Sequence, residues 1–111
     1  MRVVISDLDA VGRLVVPWRV SGRPLPTVRE LTEDPEHPAL HVVHPDFDGW
    51  THAGRIEQKL GEPQSLPELI LPAVPTGASY LLIDGCHRTC ALYRSRPSHW
   101  TLTLIVADRA S

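Results

Sequence analysis

The chain has 111 residues, 42% apolar and 22% charged, which specifies one folded domain over 1–111 with a single core and excludes a disordered chain. Eleven Lys plus Arg against thirteen Asp plus Glu give a formal charge of −2, which does not support a strongly basic nucleic-acid surface and leaves room only for a local basic patch; no DNA partner is expected. Met1 to Asp7 carries only three consecutive apolar residues, neither a signal segment nor a membrane span, and the two cysteines sit four apart on one predicted helix, a poor geometry for a bridge; a cytoplasmic protein with no membrane partner is expected.

In chain order, Arg2 to Ile5 reads as a strand and Val11 to Val16 as another, with Gly12 marking a turn or bulge and Pro17 ending the run. Ser21 to Pro26 is an extended loop, because each proline fixes its own φ and keeps its predecessor out of the helical region. Thr27-Val-Arg-Glu30 has capping-box spacing, and Asp34-Pro35 limits the helix that follows to one or two turns. Residues 33 to 49 are rich in Pro, His and Asp around an apolar island, Leu40 to Val43, read as a short strand. Ala53, Ile56 and Leu60 share one face of a helix within Trp50 to Leu60, which Gly61 stops. Pro67 to Val74 is a strand whose Pro72 argues for an edge position or an irregularity. Pro75-Thr-Gly77 turns into a strand at Ser79 to Ile83, a helix runs from about Cys86 to Arg94, and His99 to Ala107 closes the order as a strand. This order specifies an α+β (small α/β) domain, with helices against a mixed sheet.

The chain is organised around Tyr80 to Tyr93, where a short apolar strand turns through Asp84-Gly85 directly into a helix. The first N–H groups of a helix lack intrahelical partners and carry the positive end of its dipole, so an anion gains several hydrogen bonds there. Gly85 allows close approach, while His87 and Arg88 add donors. Cys86 stands on the same first turn, where a thiol pKa is expected to fall; Cys90 packs one turn later or serves as a resolving thiol. Asp84 either positions Mg²⁺ or an acceptor proton, or caps the helix. His52, Arg55 and Lys59 are three and four apart and share a helix face, which is either phosphate-binding or solvated. His41, His44, Asp46 and Asp48 match no metal-site spacing, so no metal centre is expected. Trp18, Trp50 and Trp100 are read as core or partner contacts rather than a base-stacking platform.

Gly85-Cys-His-Arg88 after a strand, leading into Ala91-Leu-Tyr93, resembles the sulfiredoxin signature; Asp84-Gly-x-His-Arg88 resembles the wider ParB/sulfiredoxin-like superfamily, including its free serine kinase branch. Arg23-Pro-Leu-Pro-Thr-Val28 and Ser65-Leu-Pro67 are similar to segments of the same family, and residues 23 to 28 with about 52 to 107 can be laid on it. The resemblance implies a mixed sheet with flanking helices. It also implies a nucleophile position at Cys86 and phosphate-binding positions at His87, Arg88, Arg23, His52, Arg55 and Lys59. Asp84 replaces a small residue of sulfiredoxins, moving the motif toward the kinase and ParB-like branches. Roughly twenty extra residues stand between Val28 and His52, an insertion at about 29–50 beside the site, and the helix-turn-helix domain of ParB proper has no counterpart.

The resulting expectation is a nucleotide-binding phosphotransferase-like domain that uses ATP or ADP with Mg²⁺ and acts on a small-molecule or protein-borne acceptor. The alternatives are an ATP-dependent cysteine sulfinic acid reductase of sulfiredoxin type, working through Cys86, and a noncatalytic nucleotide- or anion-binding regulatory module.

Overall fold

A computed structural model describes residues 1–43, 49–62 and 68–107. Among the described residues nine elements follow one another: β1 (Arg2–Ile5), α1 (Leu8–Gly12), α2 (Val28–Glu33), α3 (Pro38–His41), α4 (His52–Leu60), β2 (Glu68–Thr76), β3 (Ser79–Leu82), α5 (Cys86–Ser95) and β4 (Thr101–Val106). The strands form one mixed sheet in the order β1-β4-β2-β3, in which β4 lies antiparallel to β1 and parallel to β2, and β3 returns antiparallel to β2. This is a small α+β domain with flanking helices.

Side chains alternate across a sheet, so one face can be buried by period-2 patterning alone. Ile5, Leu102 and Leu69 lie in register on that face, followed by Val3, Leu104 and Leu71, then Val106, Ala73 and Leu82. Leu69, Leu82, Leu102 and Leu104 are fully buried there, joined by Leu14, Val28, Ala91 and Leu92 from the loop and helices above. Each buried leucine contributes about 1.5–3 kcal/mol, so these rows set the height at which every helix sits.

Several helix starts follow the sequence chemistry closely. Thr27 accepts from Glu30 N–H at 3.1 Å and Thr51 from Gly54 N–H at 3.0 Å, so α2 and α4 begin at hydroxyl caps. Asp34 ends α2, as its proline neighbour requires. Gly61 ends α4 too, although in ordinary right-handed geometry at φ −76° rather than the left-handed one, its N–H donating to the carbonyls of the last turn.

Two expected strands and one strand placement are corrected. Val11 to Val16 is not a strand, because Asp7 accepts from Ala10 N–H at 2.8 Å and starts α1, whose last residue Gly12 lies against Tyr93. Val15 keeps only isolated bridges, to Thr27 and Leu81. Leu40 to Val43 is not a strand either; Pro38 opens α3 at its first turn and the His37 ring accepts from Ala39 N–H at 3.1 Å. Pro72 does not mark an edge, since β2 runs between β4 and β3. Its carbonyl still accepts from Ile83 N–H at 3.0 Å, so the missing donor does not part the strands. Pro67 and the Ser65-Leu-Pro67 segment lie outside the described residues, as do His44, Asp46 and Asp48. No helix among the described residues is long and apolar enough to cross a membrane.

Candidate functional site

The turn from β3 into α5 is tightly constrained. Gly85 stands at the N-cap with φ 76°, in the left-handed region, and a Cβ there would run into the Leu71 side chain. Only glycine meets both conditions. No side chain caps α5; Asp84 Oδ1 instead accepts from Gly85 N–H at 2.8 Å, while Thr89 turns its hydroxyl back to Gly85 O at 2.8 Å. The first N–H groups of α5 therefore have no side-chain cap and stand at the positive end of its dipole.

A cleft of about 320 Å³ opens at this turn, bounded by Pro17, Trp18, Trp50, Arg55, Lys59 and the segment Ile83 to Arg88. Arg55 and Lys59 arrive from α4, Arg88 from α5, so three cations face one carboxylate, Asp84. Arg55 holds Gln58 at 3.1 Å and lies over the Trp50 ring at 5.3 Å, which fixes its direction; Lys59 reaches Glu62 at 3.6 Å.

His52 and His87 meet at the back of the cleft, His52 Nδ1 and His87 Nε2 being 2.9 Å apart. One proton lies between these nitrogens, so the pair is not doubly charged while the bond persists. Trp18 stacks on His52 with centroids 3.8 Å apart and planes 10° from parallel, and Trp50 meets both imidazoles edge-on. Burial holds the His87 pKa down at about 4, helped by His52, Arg55 and Lys59 and opposed by Asp84. His87 is thus neutral at pH 7 and offers hydrogen bonds rather than charge.

A pH dependence follows. A base whose pKa is lowered on folding binds fewer protons folded than unfolded between about 4 and its ordinary 6.5, so stability is lost as pH falls through that window. The unfolding midpoint is expected to drop across that range in wild type and to drop less in His87→Gln, measured by thermal circular dichroism at each pH.

Cys86 departs from expectation. Its thiol is buried, and burial, then the Asp84 charge, push its pKa up to about 12, although it stands on the first turn of a helix. Desolvation outweighs the helix dipole here. Cys90 is buried one turn on, its pKa also raised by burial, and both thiols are free.

Of the residues singled out from sequence, Asp84, Gly85, Cys86, His87, Arg88, Arg55 and Lys59 come together in this cleft, and His52 joins them through His87. Arg23 does not. It is exposed in a separate groove with Pro24, Glu30, Glu33, Asp34 and His37, a mostly acidic setting on the α2 side. Trp18 and Trp50 are cleft walls that spacing could not reveal; Val15, whose N–H donates to Tyr80 O and whose carbonyl accepts from Leu82 N–H, each at 2.9 Å, brings the Pro17-Trp18 loop alongside β3. Among the described residues no three His, Cys, Asp or Glu side chains converge as a metal site.

No family model, curated protein or solved structure matches the chain. What it can do rests on the chemistry of this cleft.

Proposed function

We propose that the chain is a ParB/sulfiredoxin-like domain whose Gly85 cleft binds a nucleoside di- or triphosphate and transfers a phosphoryl group to a small-molecule or protein-borne acceptor. The observation that carries this reading is the convergence, in one cleft, of an uncapped helix start, three cations and an aromatic wall. Phosphate oxygens need the first two, and a nucleobase lies against the third.

The residues divide the work. The N–H groups after Gly85 and the Arg88, Arg55 and Lys59 side chains hold the phosphate oxygens and offset the charge that spreads over them during transfer. Trp18 and Trp50 bound the base and limit water. Neutral His87 donates a hydrogen bond without competing for the cations' charge. Asp84, exposed at the mouth, holds Mg²⁺ or orients the acceptor hydroxyl; Mg²⁺ needs only one or two carboxylates when phosphates supply other ligands, and it would neutralise their charge. The buried Cys86 thiol favours this reaction over sulfinate reduction, which requires a reactive thiolate.

Transfer from γ-labelled ATP to a panel of hydroxylated metabolites and to proteins tests the reading. Cys86→Ser is expected to keep labelled-product formation within a few fold of wild type. Turnover lost with nucleotide binding intact would assign the chemistry to the thiol, as in the reductase alternative. Nucleotide-dependent assembly with no labelled product would identify a regulatory module.

A further inference from the structure

The two imidazoles at the back of the Gly85 cleft are not equivalent. His87 Nε2 is engaged with His52 Nδ1 at 2.9 Å, while His87 Nδ1, the ring nitrogen nearer the helix backbone, has no partner among the described residues and is not sealed from solvent. His87 lines the cleft, and with Nε2 turned to His52 the Nδ1 edge is what it presents there. The positive surroundings, from Arg55, Lys59, Arg88 and the start of α5, favour the tautomer with the Nδ1 lone pair in the cleft and the proton on Nε2, donated to His52. Trp18, stacked on His52 with centroids 3.8 Å apart, favours positive charge on that ring through its π face. At pH 7 the His87 ring is neutral, whereas the Cys86 thiol of the same turn is buried and protonated. Nδ1 is therefore the neutral nucleophile that the cleft offers.

We propose that His87 Nδ1 carries the phosphoryl group covalently between nucleotide and acceptor, with His52 positioning its ring. The inference rests on the nucleotide-binding function proposed for this cleft. In the first step the Nδ1 lone pair forms an N–P bond to the γ-phosphorus of a nucleoside triphosphate, the bond to the β,γ-bridging oxygen breaks, and its electron pair leaves on the diphosphate. The Nε2 proton passes to His52 Nδ1, whose charge the Trp18 face stabilises, and the hydrogen bond persists with its direction reversed. In the second step the acceptor oxygen bonds to phosphorus and the P–N bond breaks, its pair returning to Nδ1. The acceptor proton leaves through Asp84, exposed at the mouth, to solvent, and His52 returns its proton to Nε2. Side chains of a helix lean toward its N-terminus, so a phosphoryl group on Nδ1 lies over the first turn of α5, where the uncapped N–H groups and Arg88 hold it.

Incubation of wild type with γ-labelled ATP and Mg²⁺, without acceptor, tests the inference. The protein is expected to retain label that survives alkali and is lost in acid, as a phosphoramidate is, with the phosphorus NMR resonance of the Nδ1 isomer. Exchange of label between ADP and ATP is expected under the same conditions. His87→Gln is expected to lose both label and exchange while its ATP affinity, measured by calorimetry, stays within about tenfold of wild type. His52→Phe keeps a ring on Trp18 but cannot take the proton; it is expected to form the phosphoprotein roughly 10²-fold more slowly at saturating ATP with KM little changed, whereas a merely structural role would raise KM as well. Labelled acceptor from a protein that itself never carries label and shows no exchange would overturn the inference and leave nucleotide-dependent transfer standing as a direct step. Label that is alkali-labile, as an aspartyl phosphate is, or that persists in His87→Gln would overturn it too. No binding of ATP to wild type would overturn both the inference and the function on which it rests.

Discussion

Gly85→Ala is expected to lower the melting temperature by roughly 10–20 °C. Two costs act together. The left-handed backbone at φ 76° costs about 1–2 kcal/mol for any residue with a Cβ. The Cβ also meets Leu71, whose side chain is buried in the inner rows of the sheet, and such overpacking costs about 1–3 kcal/mol. Gly77→Ala provides the contrast: its φ is 53°, but a Cβ there meets open space, so only the backbone cost applies. Thermal unfolding of the two variants should therefore separate them clearly. A Gly85→Ala melting point within a few degrees of wild type would mean that the β3-α5 turn is not built as described.

The double variant Arg55→Ala with Lys59→Ala is expected to weaken nucleotide binding by about 10²–10⁴-fold, since each charge-assisted contact contributes about 1.5–3 kcal/mol. Its effect on folding should be small. The Lys59–Glu62 pair at 3.6 Å is partly exposed and of little worth, and losing Arg55 from the Trp50 ring removes about 0.5–1 kcal/mol. Calorimetric titration with ATP and Mg²⁺, paired with chemical denaturation, distinguishes the two effects. Unchanged affinity would return the α4 face to an ordinary solvated surface.

What could be read directly from the residues was local. Thr27 and Gly85 begin helices through chemistry within a few residues of themselves, and β1, β3, α5 and β4 follow from period and punctuation. Tertiary contact decided the rest. Val11 to Val16 is β-branched enough for a strand, but the Asp7 cap and the fit of Gly12 against Tyr93 make its first part a helix. Pro72 argues for an edge until its carbonyl finds Ile83 across an interior strand. The site was legible where it lies on consecutive residues of one turn or on one face of α4. It was illegible where separate segments meet: Arg23 turns to its own groove, Trp18 arrives through a loop, and the Cys86 pKa depends on how deeply the helix start is buried.

Binding of ATP, ADP and CTP, with and without Mg²⁺, to wild type and Arg88→Ala by isothermal titration calorimetry tests the central claim most directly. Arg88 is exposed at the cleft and forms no ion pair among the described residues, so its removal should leave the fold intact. The account predicts measurable binding to wild type that weakens by about 10–100-fold in Arg88→Ala, the equivalent of one lost charge-assisted contact. No binding at millimolar nucleotide, or equal binding by both proteins, would contradict it.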